Sequence, residues 1–231
     1  MKKITIVTGG NSGLGLSISK ELVKKGYNVC IVGRNKNKLD NAKNELISIN
    51  NNVDLLSYDL NISDESKVID LYNSLNEYTI ESLYNVAGVG VFGKPNGNTK
   101  EKINMVLEAS LIGLILMTTY ALKSMEIDGG KIINVMSTAA IRPKGKESIY
   151  CAAKYGAKGY TDSLKEFYKG SNINIVGVYP GGLNTPFWDN KYSLPVDKTK
   201  FMSPDEVAKQ IVECTTNTDN ILVSDIVIDR K

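Results

Sequence analysis

The sequence predicts an α/β fold: one doubly wound domain over residues 1–231, with about seven parallel strands and helices on both faces. Three observations carry that reading. Short apolar, β-branched runs end abruptly at glycine or polar residues. Segments with helical spacing separate them, each long enough to carry the chain back across a parallel sheet. No tandem repeat or linker interrupts the alternation, so one core serves the whole chain.

Residues 4–7 form the first run, closed at once by Thr8, Gly9 and Gly10, which reads as a buried parallel strand. Leu14, Ile18, Leu22 and Val23 then recur at helical spacing until Gly26, giving a helix over 14–25. The pattern repeats as strand 28–32, helix 36–49, strand 53–57, helix 64–75 and strand 82–86, followed by a glycine-rich loop over 88–97. One unbroken helix over 99–125, strand 131–136, helix 150–169, strand 173–178, helix 204–217 and a broken last strand over 221–228 complete the chain. Right-handed crossovers make this a Rossmann-type arrangement. Residues 179–202 break the rhythm: a loop of that length, containing Pro180, Pro186 and Pro195, is expected to be functional.

Composition narrows the class. With 42% hydrophobic and 23% charged residues the chain is neither disordered nor fibrous. A net charge of +3, with lysines spread along the chain, gives no basis for nucleic-acid binding. The apolar run at 111–117 is short of the roughly 20 residues a membrane span needs. The N-terminus lacks the roughly 7–15-residue apolar core of a signal peptide, so a cytoplasmic protein acting on a small molecule is expected. Cys30, Cys151 and Cys214 are odd in number and far apart, and histidine is absent; this fits reduced thiols and no metal site.

Two stretches carry chemistry. Residues 8–15, TGGNSGLG, lie between the first strand and helix, where Gly9, Gly13 and Gly15 would let backbone amides approach a pyrophosphate at a helix N-terminus. Residues 131–155 place Ser137 after a strand and Tyr150 and Lys154 four apart on the next helix, hence neighbours on one face. A tyrosine can handle a proton near neutral pH only if its pKa falls by about three units, equivalent to about 4 kcal/mol of preferential stabilisation of the phenolate. A neighbouring lysine cation can supply much of that, and Ser137 can hydrogen-bond a substrate oxygen.

The glycine spacing TGxxxGxG, together with motifs farther along the chain, resembles the short-chain dehydrogenase/reductase family. Asn85, Val86, Ala87 and Gly88 match its NNAG motif except for Val86. Ser137, Tyr150 and Lys154 match its serine and YxxxK pair, and Pro180, Gly181 and Thr185 its PG motif and the threonine beyond. The resemblance implies an NAD(P)(H)-dependent oxidoreductase in which Tyr150 is acid/base, Lys154 tunes it and holds ribose, and Ser137 orients the substrate. It implies further cofactor contacts from Thr8, Asn11, Ser12, Leu14, Asp59, Leu60, Asn85, Ala87 and Gly88, and a homodimer or homotetramer built on the helices of 99–125 and 150–169. Ser110 stands where many members carry the asparagine of a proton relay, and is taken with the catalytic group.

Gly33 occupies the place of the acid that binds ribose hydroxyls in NAD enzymes, and Arg34 follows it. A guanidinium there suits a 2′-phosphate, so NADP(H) is favoured over NAD(H). Phe187, Trp188 and Tyr192 are lid candidates suited to an apolar or ring-bearing carbonyl or alcohol substrate, and Arg142, Lys144 and Lys146 could meet an anionic group on it. A non-catalytic dinucleotide-binding protein is the rival reading, motivated by Val86 and Ser110; a sugar-nucleotide epimerase is a third.

Overall fold

The computed structural model describes residues 1–216 and 221–231. Among these, β1 (Lys2–Thr8), β2 (Val29–Gly33), β3 (Leu55–Asp59), β4 (Tyr78–Asn85), β5 (Gly130–Val135), β6 (Ile173–Pro180) and β7 (Asp225–Ile228) form one seven-stranded sheet. Every pairing is parallel, in the order β3-β2-β1-β4-β5-β6-β7. The chain winds outward from β1 to β3, then returns to lay β4 on the other side of β1. A crevice therefore opens at the carboxyl ends of β1 and β4, where Thr8 lies opposite Asn85, the usual place for a ligand in such sheets.

Successive strand residues point to opposite faces, and two cores result. On one face α1 (Gly13–Lys24), α2 (Lys36–Ile49) and α7 (Pro204–Thr216) pack Leu22, Leu39, Leu46 and Ile211 against Val7, Ile31 and Val178. On the other, α3 (Glu65–Ser74) and α5 (Gly113–Met125) pack Leu71, Met117 and Met125 against Ile4, Ile6, Leu83 and Ile132. The helix carrying Tyr150 and Lys154, α6 (Ser148–Phe167), also contacts β6.

Several boundaries differ from the sequence reading. β3 runs two residues later than expected and β4 starts four earlier, because edge and half-exposed strand residues such as Ser57, Asp59 and Glu81 are polar. The last strand is confined to Asp225–Ile228; residue 217, the expected end of α7, lies outside the described residues. The expected single helix over 99–125 is α4 (Lys100–Leu107), a wider π turn at Glu108–Ile112 and α5. The whole stretch Lys100–Met125 is long and apolar enough to cross a membrane by length and composition, although the 111–117 run alone is not. Here Met117, Ala121 and Met125 are fully buried against the sheet, as in the core helix of a globular fold.

Candidate active site

The turn after β1 is shaped by backbone. Gly9 and Gly13 have φ of 69° and 50°, a left-handed region open to glycine. At Gly15 a Cβ would lie 2.3 Å from the Gly9 carbonyl oxygen, so no side chain fits without moving the turn. Thr8 stands behind it: its buried Oγ1 accepts from the backbone N–H groups of Val86 (3.0 Å) and Ala87 (3.1 Å), joining the β1 turn to the β4 loop. Helix α1 starts at this turn with no acidic residue in its first turn, leaving its amide end free for an anion. These features fit a pyrophosphate.

A cavity of about 460 Å³ runs from this turn past Arg34 and Lys38 to Ser137, Tyr150 and Lys154. Arg34 just after β2 and Lys38 in the first turn of α2 fit a further phosphate; Arg34 also lines a neighbouring pocket that holds Glu101 and Glu108. Gly33 is glycine for a packing reason as well, since a Cβ there would lie 2.8 Å from the Asn11 side chain.

At the other end, Tyr150 is 8% exposed and Lys154 3%. Burial drives the Tyr150 phenol above its ordinary pKa; a hydrogen bond with Ser137 acts the other way, and nearby Glu147 and Cys151 push it up again. Burial lowers the Lys154 pKa to about 8. Its Nζ donates to the Val135 carbonyl at 3.3 Å and stands 5.7 Å from the centre of the Tyr150 ring. The Ser137 Oγ accepts from the Ala139 N–H at 3.1 Å, which fixes the hydroxyl at the end of β5. Desolvation thus pushes both titrating groups toward neutrality.

A buried chain of side chains sets the height of α6. Asn85 Nδ2 donates to Thr118 Oγ1 and to Asn134 Oδ1, both at 2.9 Å, and Asn134 Nδ2 donates to Thr161 Oγ1 at 3.0 Å. Thr161 is seven residues beyond Lys154, two turns along the same face. Asn85 therefore aligns β4, β5, α5 and α6 rather than lining the cavity.

Of the residues singled out by sequence, the cavity brings together Gly9, Ser12, Gly13, Leu14, Gly15, Arg34, Ala87, Gly88, Ser137, Tyr150, Lys154, Pro180, Gly181 and Thr185. Thr8, Asn11, Asp59, Leu60, Asn85 and Ser110 stand off its wall. Ser110 is 1% exposed within the π turn, and its Oγ is 3.4 Å from the Val89 N–H. A Cβ on Gly88 would lie 3.4 Å from that Oγ and 3.6 Å from Lys154 Nζ, so the serine and the lysine flank the same glycine.

The lid candidates divide. Phe187 and Trp188 line the cavity, whereas Tyr192 packs beside it and its carbonyl accepts from the Phe92 N–H at 3.0 Å. Phe92, which the sequence reading passed over, has its ring centre 5.6 Å from that of Tyr150 and 5.3 Å from that of Trp188. Phe187 is 5.7 Å from Tyr150. Of the three basic residues, Lys144 reaches the cavity; Arg142 pairs with Asp229 at 3.2 Å, and the Lys146 carbonyl accepts from the Gly93 N–H. Glu147, also on the wall, was missed as well. No local motif marks Phe92 or Glu147; the reach of the fold does.

A fold with its cavity at the β1/β4 switch point, a glycine turn at one end and Ser137 beside buried Tyr150 and Lys154 at the other defines a dinucleotide-dependent oxidoreductase class. The model of the short chain dehydrogenase family matches residues 3–194, and the chain belongs to that family. It is 28% identical to carbonyl reductase family member 4 of Xenopus tropicalis over 97% of each chain. It is 27% identical to the sepiapterin reductase of Chlorobaculum tepidum, over 99% of this chain and 96% of that one. Among solved structures, a short-chain dehydrogenase/reductase from Vibrio parahaemolyticus superposes with a TM-score of 0.86 at 30% identity, covering 98% of this chain and 96% of the other. The L-sorbose reductase of Gluconobacter frateurii, in complex with NADPH and L-sorbose, shares the fold with a TM-score of 0.87 at 23% identity, over 99% and 95%.

Proposed function

We propose that this protein is an NADP(H)-dependent reductase of a small carbonyl compound, or the corresponding alcohol dehydrogenase, with Tyr150 as general acid/base. The observation that carries the reading is one cavity lined both by the Gly9–Gly13–Gly15 turn and by Ser137, Tyr150 and Lys154. Bound along it, the dinucleotide supplies or accepts a hydride. The chain's own residues do the rest.

In reduction, the Tyr150 hydroxyl donates its proton to the substrate oxygen as negative charge builds there, and Ser137 holds that oxygen by a second hydrogen bond. The Lys154 ammonium stabilises the phenolate left behind, an interaction strengthened by the water-poor surroundings of both groups. Lys154 spends one N–H on Val135, which leaves donors for a ribose hydroxyl. Gly88 keeps the space between Lys154 and Ser110 open, where a water held by the serine could return the proton from solvent. Arg34 and Lys38 would take the 2′-phosphate, which makes NADP(H) the preferred cofactor.

The three cysteines are free thiols, consistent with a cytoplasmic protein. Ile112 and Tyr155, 43% and 42% exposed on neighbouring helical segments, offer a surface for a homodimer or homotetramer. Screening NADPH and NADH oxidation against aldehydes, ketones and keto-sugars tests the function. The cofactor choice is tested by Arg34→Asp, expected to lower kcat/KM with NADPH by about 10- to 100-fold, equivalent to the roughly 1.5–3 kcal/mol of a charge-assisted contact, while NADH is retained. An unaltered preference would locate the 2′-phosphate elsewhere.

A further inference from the structure

Glu147 sits at the N-cap of α6, one turn before Tyr150, yet its side chain caps nothing. Glutamate is not among the residues that favour this position, and a local choice that breaks such a rule points to function. The residue is only 9% exposed and lies on the wall of the same cavity. Burial raises its pKa above the ordinary glutamate value, opposed by Lys144. Among the described residues that lysine is its one ion-pair partner, at 3.9 Å, beyond hydrogen-bond distance, and is itself half-exposed. A carboxylate so largely removed from water carries a desolvation penalty; among the described residues nothing donates to its oxygens, which open onto the cavity where a donor can reach them. Attraction to the amide end of α6 offsets part of that penalty, but it does not fill the carboxylate's lone pairs.

The surroundings restrict what can enter. Phe187 and Trp188 make part of the wall beside Tyr150 apolar, with Phe92 packed against all three rings, and Glu147 is the carboxylate on that wall. Side chains three positions apart at a helix surface have Cβ atoms about 5–6 Å apart, the scale of separation between the reacting oxygen and a group held by Glu147. A substrate carboxylate or phosphate is excluded there by like charge. A cationic group is disfavoured by Lys144 and Lys154 on either side.

We propose that Glu147 is a specificity-determining residue that accepts a hydrogen bond from a hydroxyl carried by the substrate two or three bonds from its carbonyl carbon, so that the substrates are hydroxylated ketones or aldehydes. The proposal rests on the reductase reading of the same cavity. A hydroxyl in that position satisfies the carboxylate, whereas an alkyl group of equal size displaces water from it and offers no donor in return. A site built to hold a hydroxyl discriminates strongly against the analogue lacking it.

The test compares two ketones of equal heavy-atom count, 4-hydroxy-2-butanone and 2-pentanone, with NADPH. Wild-type kcat/KM is expected to favour the hydroxyketone by at least about tenfold, the equivalent of about 1.4 kcal/mol. Glu147→Ala should bring the ratio to about one with NADPH affinity unchanged, any change in the acidity of Tyr150 acting on both ketones alike, and Glu147→Gln, which keeps an acceptor oxygen, should restore part of the preference. 4-Amino-2-butanone separates a general need for a donor from a need for hydroxyl: a rate below that of the hydroxyketone supports the proposal, and a higher one overturns the choice of hydroxyl. Absence of a wild-type preference, or a ratio that survives Glu147→Ala, overturns the role of Glu147 while leaving the reductase reading intact. If neither ketone turns over, the same ratio is read from ketone binding to the NADPH complex by fluorescence, and the reductase reading is decided separately by the wider carbonyl screen.

Discussion

Two loops meet where Gly13 lies against Thr185, and they are built on opposite plans. The turn after β1 holds its shape through backbone: two glycines of positive φ, a third pressed against a carbonyl, and Thr8 bonded to main-chain amides. The segment after β6 holds its shape through side chains. Trp188 packs on Phe92, Phe187 and Phe201 with ring centres 5.2–5.3 Å apart and donates to the Leu183 carbonyl, while two main-chain bonds between 182–184 and Met202 close the base of the loop. A backbone-built cradle suits a group that never changes, the pyrophosphate. A loop built from side chains can be re-cut for each substrate without disturbing the cradle.

Among the changes that bear on the two loops, the largest effect is expected between them, at Lys154. Lys154→Met should lower kcat by about 10²- to 10³-fold, in the range of acid–base contributions, yet stabilise the cofactor-free protein. The folded pKa of about 8 lies below the unfolded value of 10.5. Below pH 8 the lysine is charged in both states and the penalty of burying that charge is fully present. Between pH 8 and 10.5 the folded protein releases the proton first, so stability rises with pH through that window. Removing the charge at pH 7 should therefore gain on the order of 3 kcal/mol, read as a raised urea midpoint. A variant that loses both activity and stability would show that Lys154 is also a structural anchor.

Gly15→Ala comes next. It should weaken NADPH binding by about 100-fold because the new Cβ forces the turn away from the Gly9 carbonyl, measured by titration of protein fluorescence. Retained affinity would break the backbone half of the contrast. The smallest change is expected from Trp188→Ala: KM for a carbonyl substrate should rise by about tenfold with NADPH affinity little altered. An equal loss in NADPH affinity would mean that the second loop helps to hold the cofactor, and the division between the loops would fall.

The glycine turn and the Tyr150–Lys154 pair were legible in sequence because their information is local: a few residues of fixed spacing beside a strand or on one helical face. Most strands were legible for the same reason, and the polar residues of β3 and the start of β4 blurred only their limits. What escaped depends on chain segments far apart. Asn85 matches a familiar motif, but its work in joining β4 to α6 through Asn134 and Thr161 needs the sheet assembled. Phe92 reaches Tyr150 only because the β4 loop folds over the site, and the π turn that buries Ser110 leaves no periodic mark in an apolar helix. Glu147 follows a basic loop with no periodic or spacing signal, and its burial exists only once the fold is assembled.

The central claim is that Tyr150 moves the proton while the cradle holds the cofactor independently of it. Measuring carbonyl reduction and NADPH affinity side by side in Tyr150→Phe tests this most directly. The substitution removes one hydroxyl from a ring already packed by Phe92 and Phe187. Turnover should fall by at least about 10³-fold with NADPH affinity within about threefold of wild type. Turnover close to that of wild type would contradict the account.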